Sequence, residues 1–411
     1  MKTSGTHLPS LLGGILFSLS GLLLFGVGLV AGLTALLALL RDEGIQVQGM
    51  ILFATLSFEA LLLFAAAFFA FQKMAQKPSA DQVSSLSLAP WQMVLAVLVA
   101  GAALLIGHLV AEVDAVNWLI LPILTIPAIA IPLGIALALG AHRLPFAARW
   151  QTWSVLGLSM TLAPLLLLAL EAFAAILFFV GIIAYVASQP ELAAEMQVLS
   201  EQMLILGPEA DAAIELLAPI LTQPGVVVMV LLYMAVVVPA IEELFKPLGV
   251  WLLAGKLDST AQGFTLGALS GAGYALIETV GVSAQAPEWA SLLFSRIGTG
   301  LLHITTSALM GAAIVAAWRE RRYLRLIGTY FLATLLHGLW NALAILFTFS
   351  TIAELGDLPG RLGTVQPVAI AAMSILAIGF FLILVMTNRR MRTRVNTVEA
   401  VPPVHNAEQT E

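Results

Sequence analysis

Glu242, Glu243, Glu278, His303 and His337 are residue types that hydrolases use, and each lies in a stretch otherwise fit for lipid. The two adjacent glutamates occur in VVVPAIEELFKPLGVW with Lys246 behind them. Glu278 ends YALIE, His303 sits within GTGLLHITTSALM, and His337 opens HGLWN, which ends at Asn341. A charge near the bilayer centre costs at least ~2.5 kcal/mol on insertion scales, so Glu242, Glu243 and Lys246 together demand a wet cavity or a function. Each stretch also carries a polar or aromatic pair four residues apart: Glu242 with Lys246, Tyr274 with Glu278, His303 with Ser307, His337 with Asn341. On a helix such pairs share one face.

Adjacent carboxylates point about 100° apart on a helix, so one can face a cavity while the other braces a neighbour. A glutamate so placed, Glu242 rather than Glu243, can act as general base toward water, assisted by Glu278. Imidazoles supply the rest of a hydrolysis, a donor to the developing oxyanion or a proton for the leaving amine. Asn341, one turn from His337, can orient that ring or donate to the same oxygen. The candidate catalytic set is therefore Glu242, Glu243, Glu278, His303, His337 and Asn341. A metal reading draws on His303, His337 and Glu278, a two-histidine, one-carboxylate set of the kind that binds zinc. With no HExxH in the chain, a metal-free, cofactor-free site is preferred and zinc is the alternative. The same buried cluster could instead serve a transporter or sensor.

These residues need rods that cross a membrane. Of 411 residues 60% are hydrophobic and 10% charged, far below the ~25% charge of soluble domains, so the chain reads as an all-α polytopic membrane protein. The absence of cysteine excludes disulfides, thiolate ligands and a cysteine nucleophile. No basic stripe with interleaved aromatics suggests nucleic acid. Apolar runs near 20 residues mark ten spans: 11–40, 50–71, 91–111, 118–140, 153–187, 226–255, 263–282, 296–318, 324–349 and 364–387. The first and fifth are long enough to require tilt, overhang or a break. Pro122, Pro127 and Pro132 predict an irregular fourth span. Gly263, Gly267 and Gly271 offer a face for close helix approach.

Lys73, Lys77, Arg143, Arg149, Lys256, the cluster from Arg319 to Arg325 and the cluster from Arg389 to Arg394 alternate onto one side of this count. By the positive-inside rule that side, with both termini, is cytoplasmic, and the protein is a multi-pass plasma-membrane protein. The expected organisation is an N-terminal four-helix extension over 1–152, a catalytic membrane core over 153–388 and a disordered tail over 389–411. An acidic external loop over 188–224 interrupts the core, with Leu192, Met196 and Leu199 at helical spacing. Glu59 and Glu171, inside spans without polar neighbours in sequence, are expected to make interhelical hydrogen bonds. At a rise of ~1.5 Å per residue, Glu242, His303, His337 and Glu278 fall within a slab of roughly 12 Å.

EELFK (Glu242 to Lys246) resembles the EExxK box of the PrsW family of intramembrane proteases, relatives of the type II CAAX prenyl proteases and Abi proteins. YALIE, ending at Glu278, is similar to the family's aromatic-xxx-Glu box, with Tyr274 where phenylalanine is commoner. His303 and HGLWN are similar to its two histidine boxes. The resemblance covers about 100 residues, Glu242 to Asn341, in the family's order. It implies an all-helical core in which a glutamate activates water to cut a peptide bond. Relatives are classed variously as glutamic and as metallo. It also implies a membrane-anchored protein as substrate, such as an anti-sigma factor.

Overall fold

The computed structural model describes residues 7–41, 44–206, 220, 223–280, 289–355 and 365–399. The chain is all-α and polytopic. Among the described residues nine helical stretches are long and apolar enough to cross a bilayer. Four come from the N-terminal part: α1 (Leu8–Leu37), α2 (Val47–Met74), α3 (Pro90–Ala111) and α4 (Asp114–Gly140). α1 lies along α2 because Gly14, Gly21 and Gly32 leave room for Phe71, Phe64 and Phe53. The irregularity expected of the fourth span does not break it: α4 is helical through all three prolines. It is packed by α2 and α3 and by the core, which supports a rod missing three backbone bonds.

The long fifth run does hide a break. It divides at Thr161 (φ −127°, ψ −80°) into α5 (Arg149–Met160) and α6 (Leu162–Ala187). α7 (Pro190–Leu206) folds the start of the acidic segment back on α6, burying Leu192 and Leu199 against Val186. Residues 207–219 and 221–222 of that segment lie outside the described residues.

The sixth run is also not one rod. It comprises α8 (Pro224–Leu232), a π-helical turn over Tyr233–Val237, α9 (Val238–Phe245) and α10 (Leu248–Leu253). Pro239 has no N–H for the carbonyl of Ala235, and Pro247 none for that of Glu243, so the helix loosens before and after the EELFK segment.

α11 (Thr260–Val280), α12 (Trp289–Glu320), α13 (Tyr323–Leu355) and α14 (Val365–Glu399) complete the bundle. α11 is rich in small residues and less apolar than the other spans, yet every residue from Ala261 to Ala275 is buried. α12 is the hub, with 89% of its most apolar stretch buried against at most 39% in the other eight candidate stretches. The two pack antiparallel at backbone contact distance. A Cβ on Gly263, Gly267 or Gly271 would strike the carbonyl oxygens of Gly311, Ser307 and His303 in turn, the close approach that the glycine spacing predicts.

One expectation is corrected at the edge of the bundle, and a small ribbon is added there. The tail expected to be disordered from 389 is helical to Glu399, anchored by Asn388, whose Nδ2 donates to the carbonyls of Gly140 (2.7 Å) and His142 (3.0 Å). A two-stranded antiparallel ribbon, β1 (Val83–Ser85) with β2 (Pro145–Ala148), joins the α2–α3 and α4–α5 connections. It is fastened to α11 by Thr265 Oγ1, which donates to the carbonyl of Pro145 at 2.9 Å.

Candidate active site

The polar residues of α9, α11, α12 and α13 meet at one point. Lys246, 0% exposed, is its centre. Its Nζ lies 2.8 Å from Glu242 Oε2, 3.0 Å from Glu243 Oε1, 2.7 Å from His303 Nδ1 and 3.3 Å from His337 Nδ1. The carbonyl of Lys246 accepts from Ser270 Oγ on α11 at 2.6 Å, and the ammonium stands 5.1 Å from the centre of the Tyr274 ring. Tyr274 in turn meets His303 edge-on, as His303 meets His337, both at 5.3 Å.

Each histidine is held through one nitrogen by a carboxylate. His303 Nε2 lies 2.6 Å from Glu278 Oε2, and His337 Nδ1 lies 2.9 Å from Glu243 Oε1. A carboxylate only accepts, so these contacts put the ring protons on His303 Nε2 and His337 Nδ1. The lone pair at His303 Nδ1 then accepts from Lys246 Nζ at 2.7 Å, and His337 Nε2 faces Glu242, 3.8 Å from its Oε2. Glu243 is wholly buried, and its Oε2 has no hydrogen-bond partner. Glu278 is the most accessible member, its side chain 33% exposed, and it opens the cluster on that side.

The glutamates, the histidines and Lys246 come together as their types and spacing suggest, but two parts of the expected arrangement differ. Asn341 touches neither His337 nor its partners; its Nδ2 donates to the carbonyl of Met234, 2.9 Å away in the π-turn. α13 packs closely on this region: Gly338 abuts the Ala235 carbonyl that Pro239 leaves without an N–H, and Tyr330 Oη donates to the carbonyl of Ala240 on α9 at 2.9 Å. Among the described residues the set with donor atoms within 4.8 Å of one another is Glu242, His303 and His337, with Glu242 grouped where Glu278 was expected. Glu278 is occupied on the far side of the His303 ring.

That donor set suits a divalent metal. It has two ring nitrogens and one carboxylate, all buried, with each histidine's other nitrogen tied to an acid as in metal centres generally.

Outside the cluster, Glu59 is 1% exposed and neither carboxyl oxygen has a partner, so its expected interhelical hydrogen bond is not formed. Its surroundings, Phe58, Ile126, Ile129 and Leu276, are apolar, and the nearby Thr55 hydroxyl donates to its own helix. Glu171 Oε1 is likewise unpartnered, while the backbone carbonyl of Glu171 accepts from Tyr233 Oη at 3.0 Å. The π-turn and Arg296, which pairs with Glu278 at 2.8 Å, are the two contributors that sequence reasoning missed. Pro239 was a signal for the first.

Residues 148–376 match the family described as PrsW family intramembrane metalloprotease. No curated protein and no solved structure matches the chain. The family match takes in α5 through α13, the first third of α14 and every residue of the cluster, more than half of the chain. The chain therefore belongs to the PrsW family of intramembrane metalloproteases and is a peptidase of the membrane.

Proposed function

We propose that this peptidase hydrolyses a peptide bond of a membrane-anchored protein at the Glu242–His303–His337 cluster, with Glu242 as the base that activates water. The observation that carries this reading is the convergence of three buried donors from three helices within 4.8 Å. Glu242 accepts the proton of the attacking water. Glu243 and Glu278 hold the His337 and His303 rings in single tautomers, so that an inward ring nitrogen that takes the water proton on from Glu242 can donate it to the carbonyl oxygen or hand it to the departing amine without first reorienting. Asn341 contributes by pinning the π-turn before the glutamates. Tyr274 and Ser270 fix the side chain and backbone of Lys246.

The second reading, a zinc-dependent form of the same hydrolysis, is favoured by the same donor set and by the family's description as metalloproteases. Glu242, His303 and His337 would hold the ion. When bound, zinc supplies a Lewis acid and a water of lowered pKa. Lys246 Nζ lies among these donors, so the ammonium must move toward Glu243 and the Tyr274 face before an ion is held. We further propose a plasma-membrane location with cytoplasmic termini, residues 1–152 as a substrate-selecting or regulatory extension, and an anti-sigma-factor-like substrate.

The test is cleavage of a single-span reporter by protein in vesicles. Glu242→Ala and His337→Ala should each lower the rate at least ~100-fold, the usual weight of a general acid or base, with insertion intact. Retained cleavage in either removes that residue's role. Chelation followed by zinc separates the readings: loss and recovery of activity supports zinc, and indifference supports the metal-free form.

A further inference from the structure

We infer that Arg296 is a positioning residue of the peptidase site, acting through Glu278 to hold His303 in one tautomer. The inference rests on the reading of His303 as a working member of that site. The glycine contacts set the starting point. Gly263 lies against Gly311, Gly267 against Ser307 and Gly271 against His303. Each step of four along α11 is thus a step of four back along α12. Continued toward the end of α11, this register puts Glu278 opposite Arg296. The side chains meet there: Arg296 Nη2 is 2.8 Å from Glu278 Oε2, the same oxygen that His303 Nε2 approaches at 2.6 Å.

The guanidinium is held from a second direction. Arg296 Nε donates to Thr279 Oγ1 at 3.3 Å, and Thr279 donates to the carbonyl of Ala275 at 2.6 Å. The arginine side chain is 14% exposed, too enclosed for a surface pair free to exchange its partners for water. A rigid planar cation, held at Thr279, therefore forms an ion pair with one carboxylate oxygen, and that oxygen locates one ring proton. The other ring nitrogen, His303 Nδ1, is the one that accepts from Lys246 Nζ at 2.7 Å. Charge balance agrees with this role. Glu242, Glu243 and Glu278 crowd the cluster, and Lys246 already serves the first two. Without Arg296, Glu278 has no dedicated cation and competes for Lys246.

The experiment uses the full-length protein in nanodiscs, comparing wild type with Arg296→Gln and Arg296→Lys. Nitrogen-15 spectra of labelled histidine, with the His303 signals identified by their loss in His303→Gln, report the tautomer without any need for catalysis. The expected result is Nε2–H in wild type and in Arg296→Lys, and a mixture in Arg296→Gln. In reporter cleavage, kcat of Arg296→Gln should fall roughly 10- to 100-fold, as for loss of an outer hydrogen-bond partner, with KM unchanged and kcat recovered in Arg296→Lys. A wild-type tautomer in Arg296→Gln overturns the inference, and so does a change confined to KM. Should Arg296→Gln not fold, Arg296→Lys decides: a wild-type His303 spectrum supports the role, and tautomer mixing at an unchanged melting temperature overturns it. If wild type cuts no reporter but the spectra behave as expected, the peptidase reading fails and the role of Arg296 stands.

Discussion

At the scale of single residues, Lys246 is the most constrained group in the molecule. Three acceptors surround its ammonium within 3.0 Å, and a buried pair stripped of one partner costs about 3–5 kcal/mol in soluble proteins. Lys246→Met should therefore melt well below wild type in the presence of chelator. Because it also removes a cation from the position among Glu242, His303 and His337, it should bind zinc at least about tenfold more tightly, a gain of ~1.4 kcal/mol. Equilibrium dialysis and a melt with added zinc measure both effects. Weaker zinc binding in the variant would show that the lysine helps to build the ion's position and does not compete for it. The acids and imidazoles of this cluster were legible in the sequence, since an ionisable side chain within an apolar run is too costly to persist without a role. Their division of labour was not. Glu278 and Glu243 ended as braces for the two rings, and only contacts between helices could assign that.

At the scale of elements, the site depends on one tight helix pair and one loosened helix. Gly267→Leu on α11 would drive a side chain into the carbonyl of Ser307, which a backbone already in contact cannot vacate. It should abolish activity and lower the melting temperature sharply. Gly134→Ala on α4, where an added Cβ meets nothing within 4 Å, should leave both unchanged. Equal tolerance at the two positions would contradict the packing described. The π-turn makes a finer claim. Asn341→Ala removes one hydrogen bond to Met234, worth about 0.5–1.5 kcal/mol. It should slow cleavage less than tenfold, far less than His337→Ala, whereas an equally large loss would put Asn341 in contact with the reacting groups. The glycine spacing announced the α11–α12 contact because only small residues permit it. The break at Thr161 was foreseen only as one of three ways to fit an over-long run. The loosened sixth helix was not foreseen, although Pro239 and Pro247 flank the glutamates.

At the scale of the whole molecule, the N-terminal helices lie outside the family match yet are part of the core's packing. Trp289 at the start of α12 is fully buried, donates to Thr125 on α4 at 2.8 Å and fills the space at Gly107 on α3. Phe17 on α1 packs against Gly157 on α5. Removing residues 1–140 should thus uncover apolar and polar faces together, and the remainder should lack the cooperative melt of the full chain. A folded, active remainder would make the extension an independent module. The amino-acid sequence by itself determined that this chain crosses the membrane many times and that its ionisable groups lie on successive spans. Hydropathy and periodicity are local properties of a chain, and a charge in lipid is conspicuous wherever it occurs. Which acid joins the histidines, which acids brace them and what fills the space between were decided only by tertiary structure. Those outcomes depend on helix register and rotation, which arise from the contact of backbones distant in the chain.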